Sequence, residues 1–227
     1  MELTWQGRFC VRLRSRDATV VADPFPADVG PTGRGLSADI VTFSHEEPVP
    51  AGAIRQLRKA SAPSGEAVLV PASLERAFVL NGPGEFEVRQ VLMTGVRTDG
   101  GADPAPDGRN VAFVYELDGI HVCHLGDIGG LLTQDQLGEI GSVELLCIPV
   151  GGALSATAAG ELVAQVDPRL VVPLTVNADP AASAHALDRF LHEMGASNLV
   201  PQARLAVTIS TVPNETTVVL LEPRGRA

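Results

Sequence analysis

The first half of the chain is a succession of short runs rich in Val, Ile and Leu, each closed by Gly, Pro or Asp. Buried or half-buried strands take that form. The runs fall at residues 2–5, 9–13, 18–22, 40–43, 67–70, 91–96, 111–117 and 120–123. Asp118-Gly119, between the last two, has the composition of a two-residue hairpin turn. The rhythm then changes. Thr133 followed three residues later by Gln136 has the form of a capping box, with Leu137 and Ile140 giving the next helix an apolar side. A strand at 145–148, a helix at 156–166, a strand at 170–173 and a helix at 181–194 follow, and β runs at 205–209 and 217–221 close the chain. Alternation of this kind places helices outside buried strands. The reading is one α/β (α+β) domain over residues 1–227, compatible with a four-layer αββα sandwich. Segments 27–37 and 100–109 and the last few residues, rich in Gly, Pro and charge, are expected to be disordered loops.

Composition narrows the function. A net charge of −10 opposes phosphate binding, which depends on clustered Lys and Arg, so nucleic acid is not an expected partner. Cys10, Cys123 and Cys147 form no CxxC pair and sit in apolar runs, as buried thiols of a reducing compartment do. There is no basic leader followed by an apolar stretch, and no apolar run approaches the ~20 residues of a membrane span. The expectation is a cytoplasmic chain without a membrane partner, with a homo-oligomer left open.

Several stretches, in order, resemble the metallo-β-lactamase superfamily, and within it the small branch of metal-dependent hydrolases. They are Thr4-Trp5-Gln6-Gly7-Arg8-Phe9-Cys10, Ala22-Asp23-Pro24-Phe25, Asp39-Ile40-Val41-Thr42-Phe43-Ser44-His45 and Asn81-Gly82-Pro83-Gly84-Glu85-Phe86. The best match is Val122-Cys123-His124-Leu125-Gly126-Asp127, followed by Leu132-Thr133, Ile148-Pro149-Val150-Gly151-Gly152 and Val171-Val172-Pro173. The resemblance implies the αββα sandwich and a pocket formed by Arg8, His45, Glu47, His124, Asp127 and Thr175.

It also implies a degenerate metal site. In active members the main motif reads Ser-His-x-His-x-Asp-His; here its first His is His45, and the later positions fall on Glu47, Val49 and Pro50. The branch's early His falls on Arg8, another near Asp99 or Gly100, and the last ligand His on Thr175. Of the matched ligand positions, His45 and Asp127 remain. Catalytic zinc needs about three protein ligands and an open position for water. The expectation is therefore no metal or other cofactor, and a non-catalytic protein binding a small ligand or a protein partner in the inherited cleft. The alternative is a metal-dependent hydrolase with a remodelled site of His45, Glu47 and Asp127, using zinc or manganese.

Three expectations concern individual residues. His124 either pairs with backbone or serves chemistry. Ser44 and His45, adjacent on a strand, should point to opposite faces and not bond. Arg8, placed where a metal ligand would be, should pair with Asp127 or Glu47 and supply the missing positive charge.

Overall fold

The computed structural model describes residues 1–99 and 109–224. In chain order its strands begin with β1 (Glu2–Gly7), β2 (Cys10–Arg14), β3 (Thr19–Ala22), β4 (Ile40–Thr42) and β5 (Arg58–Ser61). They continue with β6 (Ala67–Val70), β7 (Phe78–Leu80), β8 (Gly84–Val88), β9 (Val91–Asp99), β10 (Arg109–Leu117) and β11 (Ile120–His124). Last come β12 (Leu145–Val150), β13 (Leu170–Thr175), β14 (Leu205–Ala206) and β15 (Thr217–Val218). The helices are α1 (Pro26–Val29), α2 (Gln134–Ile140), α3 (Ala156–Val166) and α4 (Pro180–Glu193).

Two mixed sheets result, ordered β14-β1-β2-β3-β4-β7 and β15-β13-β12-β11-β10-β9-β8, with β5 and β6 as a separate hairpin. Alternation along each strand decides which layer a side chain joins. Val111, Phe113, Tyr115 and Leu117 of β10 enter the core between the sheets, where they meet Leu3, Val11, Leu13, Val20 and Ile40 of the first sheet. Their neighbours Ala112 and Val114 face outward, onto a second core that includes Leu162, Val163 and Phe190 of α3 and α4. Inside the first core, Thr42 Oγ1 and Tyr115 OH lie 2.6 Å apart, so the polar ends of both side chains are satisfied across the sheets. Helices α2 to α4 thus cover the second sheet. The first sheet has a thinner cover of α1, short 3-10 turns and the β5–β6 hairpin, packed on Val41, Phe43, Val79, Cys10 and Val21.

Local chemistry accounts for the element ends. Thr133 and Gln136 make both bonds of the capping box, and Asp118 and Gly119 both take positive φ, as a tight hairpin turn requires. Some expectations need correction. Segment 27–37 is not a disordered loop: most of α1 and a 3-10 turn at Gly33–Gly35 fall in it, Val29 is buried, and Ala72 and Ser73 donate to the carbonyls of Pro31 and Thr32. Its glycines supply positive φ to a packed segment. Strand 9–13 begins at Cys10, because Arg8 turns the chain at φ 40°. In 205–209 only Leu205–Ala206 is strand, since Thr208 caps a 3-10 turn over Ile209–Thr211. β5, β7 and β8 lie outside the expected runs. Most of segment 100–109 and the last three residues fall outside the described ones. Among the described residues no helix is long and apolar enough to cross a membrane.

Candidate functional site

The site gathers at the ends of strands from both sheets. β3 leads into Asp23, β4 into Ser44 and His45, β11 into Gly126 and Asp127, and β13 ends at Thr175; the β1–β2 turn contributes Arg8. The two sheets are joined here, because Val111 N–H donates to the Ser44 carbonyl at 2.8 Å.

Asp23 is fully buried, with φ 48°. Its carboxylate accepts from Ser44 N–H at 2.7 Å and from Ser44 Oγ at 2.6 Å. A carboxylate only accepts, so the single serine proton points to Asp23, and Ser44 Oγ must accept from His45 Nδ1, 2.7 Å away. The expectation that Ser44 and His45 would not bond is corrected. β4 ends at Thr42, and beyond it strand alternation no longer governs where side chains point. The chain Asp23–Ser44–His45 fixes the imidazole and turns Nε2 toward Glu47 Oε1, 3.6 Å away, an ion-pair contact beyond hydrogen-bond reach. Phe9 and Phe25 hold the ring at centroid distances of 4.6 and 4.8 Å. Burial alone would lower the His45 pKa, but Glu47, Asp23 and Asp127 outweigh it and raise it. Ser44 is not placed as a nucleophile, being buried with its proton committed. Removing that hydroxyl takes the donor from Asp23 Oδ2 and leaves only the Ser44 N–H on Oδ1, so Ser44→Ala is expected to cost about 2 kcal/mol in urea unfolding. A loss under about 0.5 kcal/mol would show that Asp23 does not depend on it.

Arg8 is held on several sides. Nε donates to the Val176 carbonyl at 3.2 Å, and Nη1 and Nη2 donate to the two oxygens of Glu47 at 3.1 and 2.5 Å. Nη1 also lies 3.7 Å from Asp28 Oδ1, and the guanidinium carbon is 5.3 Å from the Phe9 ring centre. Arg8 therefore takes Glu47 rather than Asp127. Burial opposes ionisation of both partners, yet the pairing prevails: the Arg8 pKa is raised, and that of Glu47 is lowered by His45 and Arg8. The remaining acids lack such compensation. Burial, helped by Glu47 and Asp23, raises Asp127 against the pull of His45 and Arg8. Asp28 is pushed up to about 7 by burial, despite Arg8.

The other residues fall into place around this cluster. His124 is buried with both ring nitrogens committed: Nε2 donates to the Phe9 carbonyl at 2.8 Å and Nδ1 accepts from Gly126 N–H at 3.2 Å. It is a strut under the site. Thr175 is half-buried at its strand end, beside the Val176 carbonyl that receives Arg8. Asn110, fully buried, donates to Thr98 Oγ1 and the Leu125 carbonyl and accepts from Asp127 N–H at 2.9 Å. Sequence reasoning passed over Asp23, Asp28 and Asn110 as site residues. A charged residue closing an apolar strand run was the available signal for Asp23.

Beside His45 and Glu47 lies a cavity of about 500 Å³, lined among others by Phe25, Phe43, Val49, Val68 and Arg97. Among the described residues no group of three or more His, Cys, Asp or Glu side chains is arranged to hold a metal ion.

The model of the beta-lactamase superfamily domain matches residues 2–175. A UPF0173 metal-dependent hydrolase of Methanoregula boonei is 28% identical over 186 residues, covering 78% of this chain and 82% of its own. Another, from Natranaerobius thermophilus, is 24% identical over 197 residues, covering 81% and 87%. Among solved structures, a Thermotoga maritima protein proposed as a zinc-dependent hydrolase of the metallo-beta-lactamase superfamily superposes with TM-score 0.71 at 28% identity, covering 97% of each chain.

Proposed function

Because the chain belongs to the beta-lactamase superfamily domain family, we propose that it keeps the family's cleft as a binding site for a small ligand and does not carry out zinc-dependent hydrolysis there. The observation that carries this reading is the Arg8–Glu47 pair. Glu47 stands where the motif's second His would be, and both its oxygens are engaged by a guanidinium. The side chains of Val49 and Pro50 offer no donor atom, so the donor set does not fit a tightly held catalytic ion. The cavity of about 500 Å³, with Phe25, Phe43 and Val49 on its walls, is within the size range of small-molecule sites. A small ligand suits this concave space of mixed polar and apolar lining better than nucleic acid does, given the net charge of −10.

The second reading is a metal-dependent hydrolase whose remodelled site uses His45, Glu47 and Asp127. The names of the relatives favour it, as does the gathering of His45, Glu47 and Asp127 in one electrostatic cluster. Metal analysis of tag-free protein, supplied in turn with zinc and manganese and desalted without chelator, separates the two. We expect well under one ion per chain, and a library compound that raises the melting temperature of wild type but not of Phe43→Ala. One ion per chain, lost in Asp127→Ala and accompanied by hydrolysis of a test ester, would overturn the reading.

A further inference from the structure

Four carboxylates converge where the chain supplies Arg8 and His45 as opposing charges. Asp23 is absorbed by Ser44. Glu47, Asp28 and Asp127 act on the Arg8 guanidinium, which Phe9 flanks and the Val176 carbonyl caps. The fit follows the shape of the group as well as its charge. Both Glu47 oxygens receive the two terminal nitrogens, and a third acceptor on another strand end receives Nε. An ammonium is a compact point charge without that planar fork. Asp28 adds a second acidic wall beside the same guanidinium, one that Arg8 compensates only in part. Its side chain is 4% exposed, Oδ1 lies 3.7 Å from Arg8 Nη1, and Oδ2 has no hydrogen-bond partner among the described residues.

Resting on the reading that no ion is held here, we propose that this pocket is a guanidinium site, and that its occupant is the chain's own Arg8, held where a relative would hold its metal. It follows that a pocket emptied by truncating Arg8 should accept a small guanidinium from solution in preference to an amine of the same length.

The test is chemical rescue of Arg8→Ala. The variant should melt several degrees below wild type, and ethylguanidinium chloride at millimolar concentration should restore most of the loss with a saturating dose response. Ethylammonium chloride and sodium chloride at equal ionic strength should do markedly less. The double variant Arg8→Ala/Glu47→Gln should lose the rescue, and wild type should not respond. Equal rescue by the amine or by salt, or no rescue at all, would overturn the proposal. If Arg8→Ala does not fold, wild type gives the answer by nitrogen-15 NMR of its arginine side chains. A held guanidinium gives separate, slowly exchanging Nη signals, whereas those of exposed Arg55 average; averaged signals for Arg8 would also overturn the proposal. Failed rescue in protein free of metal would sink the guanidinium site and leave the non-hydrolytic reading standing. Stoichiometric metal in wild type would remove both.

Discussion

Gly126→Ala is expected to destabilise the protein by about 4 kcal/mol in urea unfolding at pH 7, from backbone strain and overpacking together. Gly126 has φ 62°, a conformation that costs a residue with a Cβ about 1 kcal/mol. The added methyl would also fall inside the contact distance of Ser44 Oγ and Cβ and lie 2.5 Å from Asn110 Oδ1. None of these atoms can yield cheaply. Ser44 is fixed to Asp23, and Asn110 Oδ1 receives the Asp127 N–H. The control is Gly130→Ala, where an added Cβ meets nothing within 4 Å among the described residues; it should stay within about 0.5 kcal/mol of wild type. If the two variants unfolded alike, the packing of Gly126 against Ser44 would not hold this edge together.

The second large effect is a dependence of stability on pH, traced to Asp28. Its carboxyl is raised from 3.8 to about 7 in the folded protein. Between those values the folded chain keeps a proton that the unfolded chain has released, so stability is greatest below the unfolded pKa and falls as pH rises through the folded one. A rise of roughly three units corresponds to about 4 kcal/mol lost between pH 4 and pH 8. Asp127 and His45, both raised, act in the same direction, with stability lost as pH rises through their folded values. Glu47, lowered, contributes stability that is lost only as pH falls through its folded value. Asp28→Asn removes one of these slopes. It is expected to flatten the profile between pH 4 and pH 8 and to be more stable than wild type at pH 8. Parallel wild-type and variant profiles, measured by urea unfolding at steps of one pH unit, would show that Asp28 is not the group responsible.

The fold was legible because alternation in its long strands is regular. Val111, Phe113, Tyr115 and Leu117 point to one core and Ala112 and Val114 to the other, as a strand covered on both faces requires, and only at Glu116 does the outer side reach solvent. The site was legible in part, since resemblance pointed to Arg8, His45, Glu47 and Asp127, which the fold brings within reach of one another's charge. What escaped the sequence has physical causes. Asp28 lies in a Pro- and Gly-rich segment whose composition is that of a solvated loop, while its burial comes from packing near Arg8 and Cys10 that local pattern does not encode. The Ser44–His45 bond was misjudged because strand geometry was extended past the end of β4, whose last residue is Thr42. The role of Asn110 rests on three partners spread over residues 98, 125 and 127.

The arginine that fills the pocket comes from the first turn of the chain, whereas the carbonyl that receives its Nε lies 168 residues later. The His124 bond to Phe9 spans 115 residues. Closures of that length are entropically expensive and are made only after nearer contacts have formed. During refolding the second sheet can acquire its hairpins and crossover helices while Asp127 still faces water, and the cleft does not exist until the amino-terminal strands dock. A probe of the cleft is therefore expected to lag behind far-ultraviolet circular dichroism in a refolding experiment, and coincident traces would show that the two halves form together.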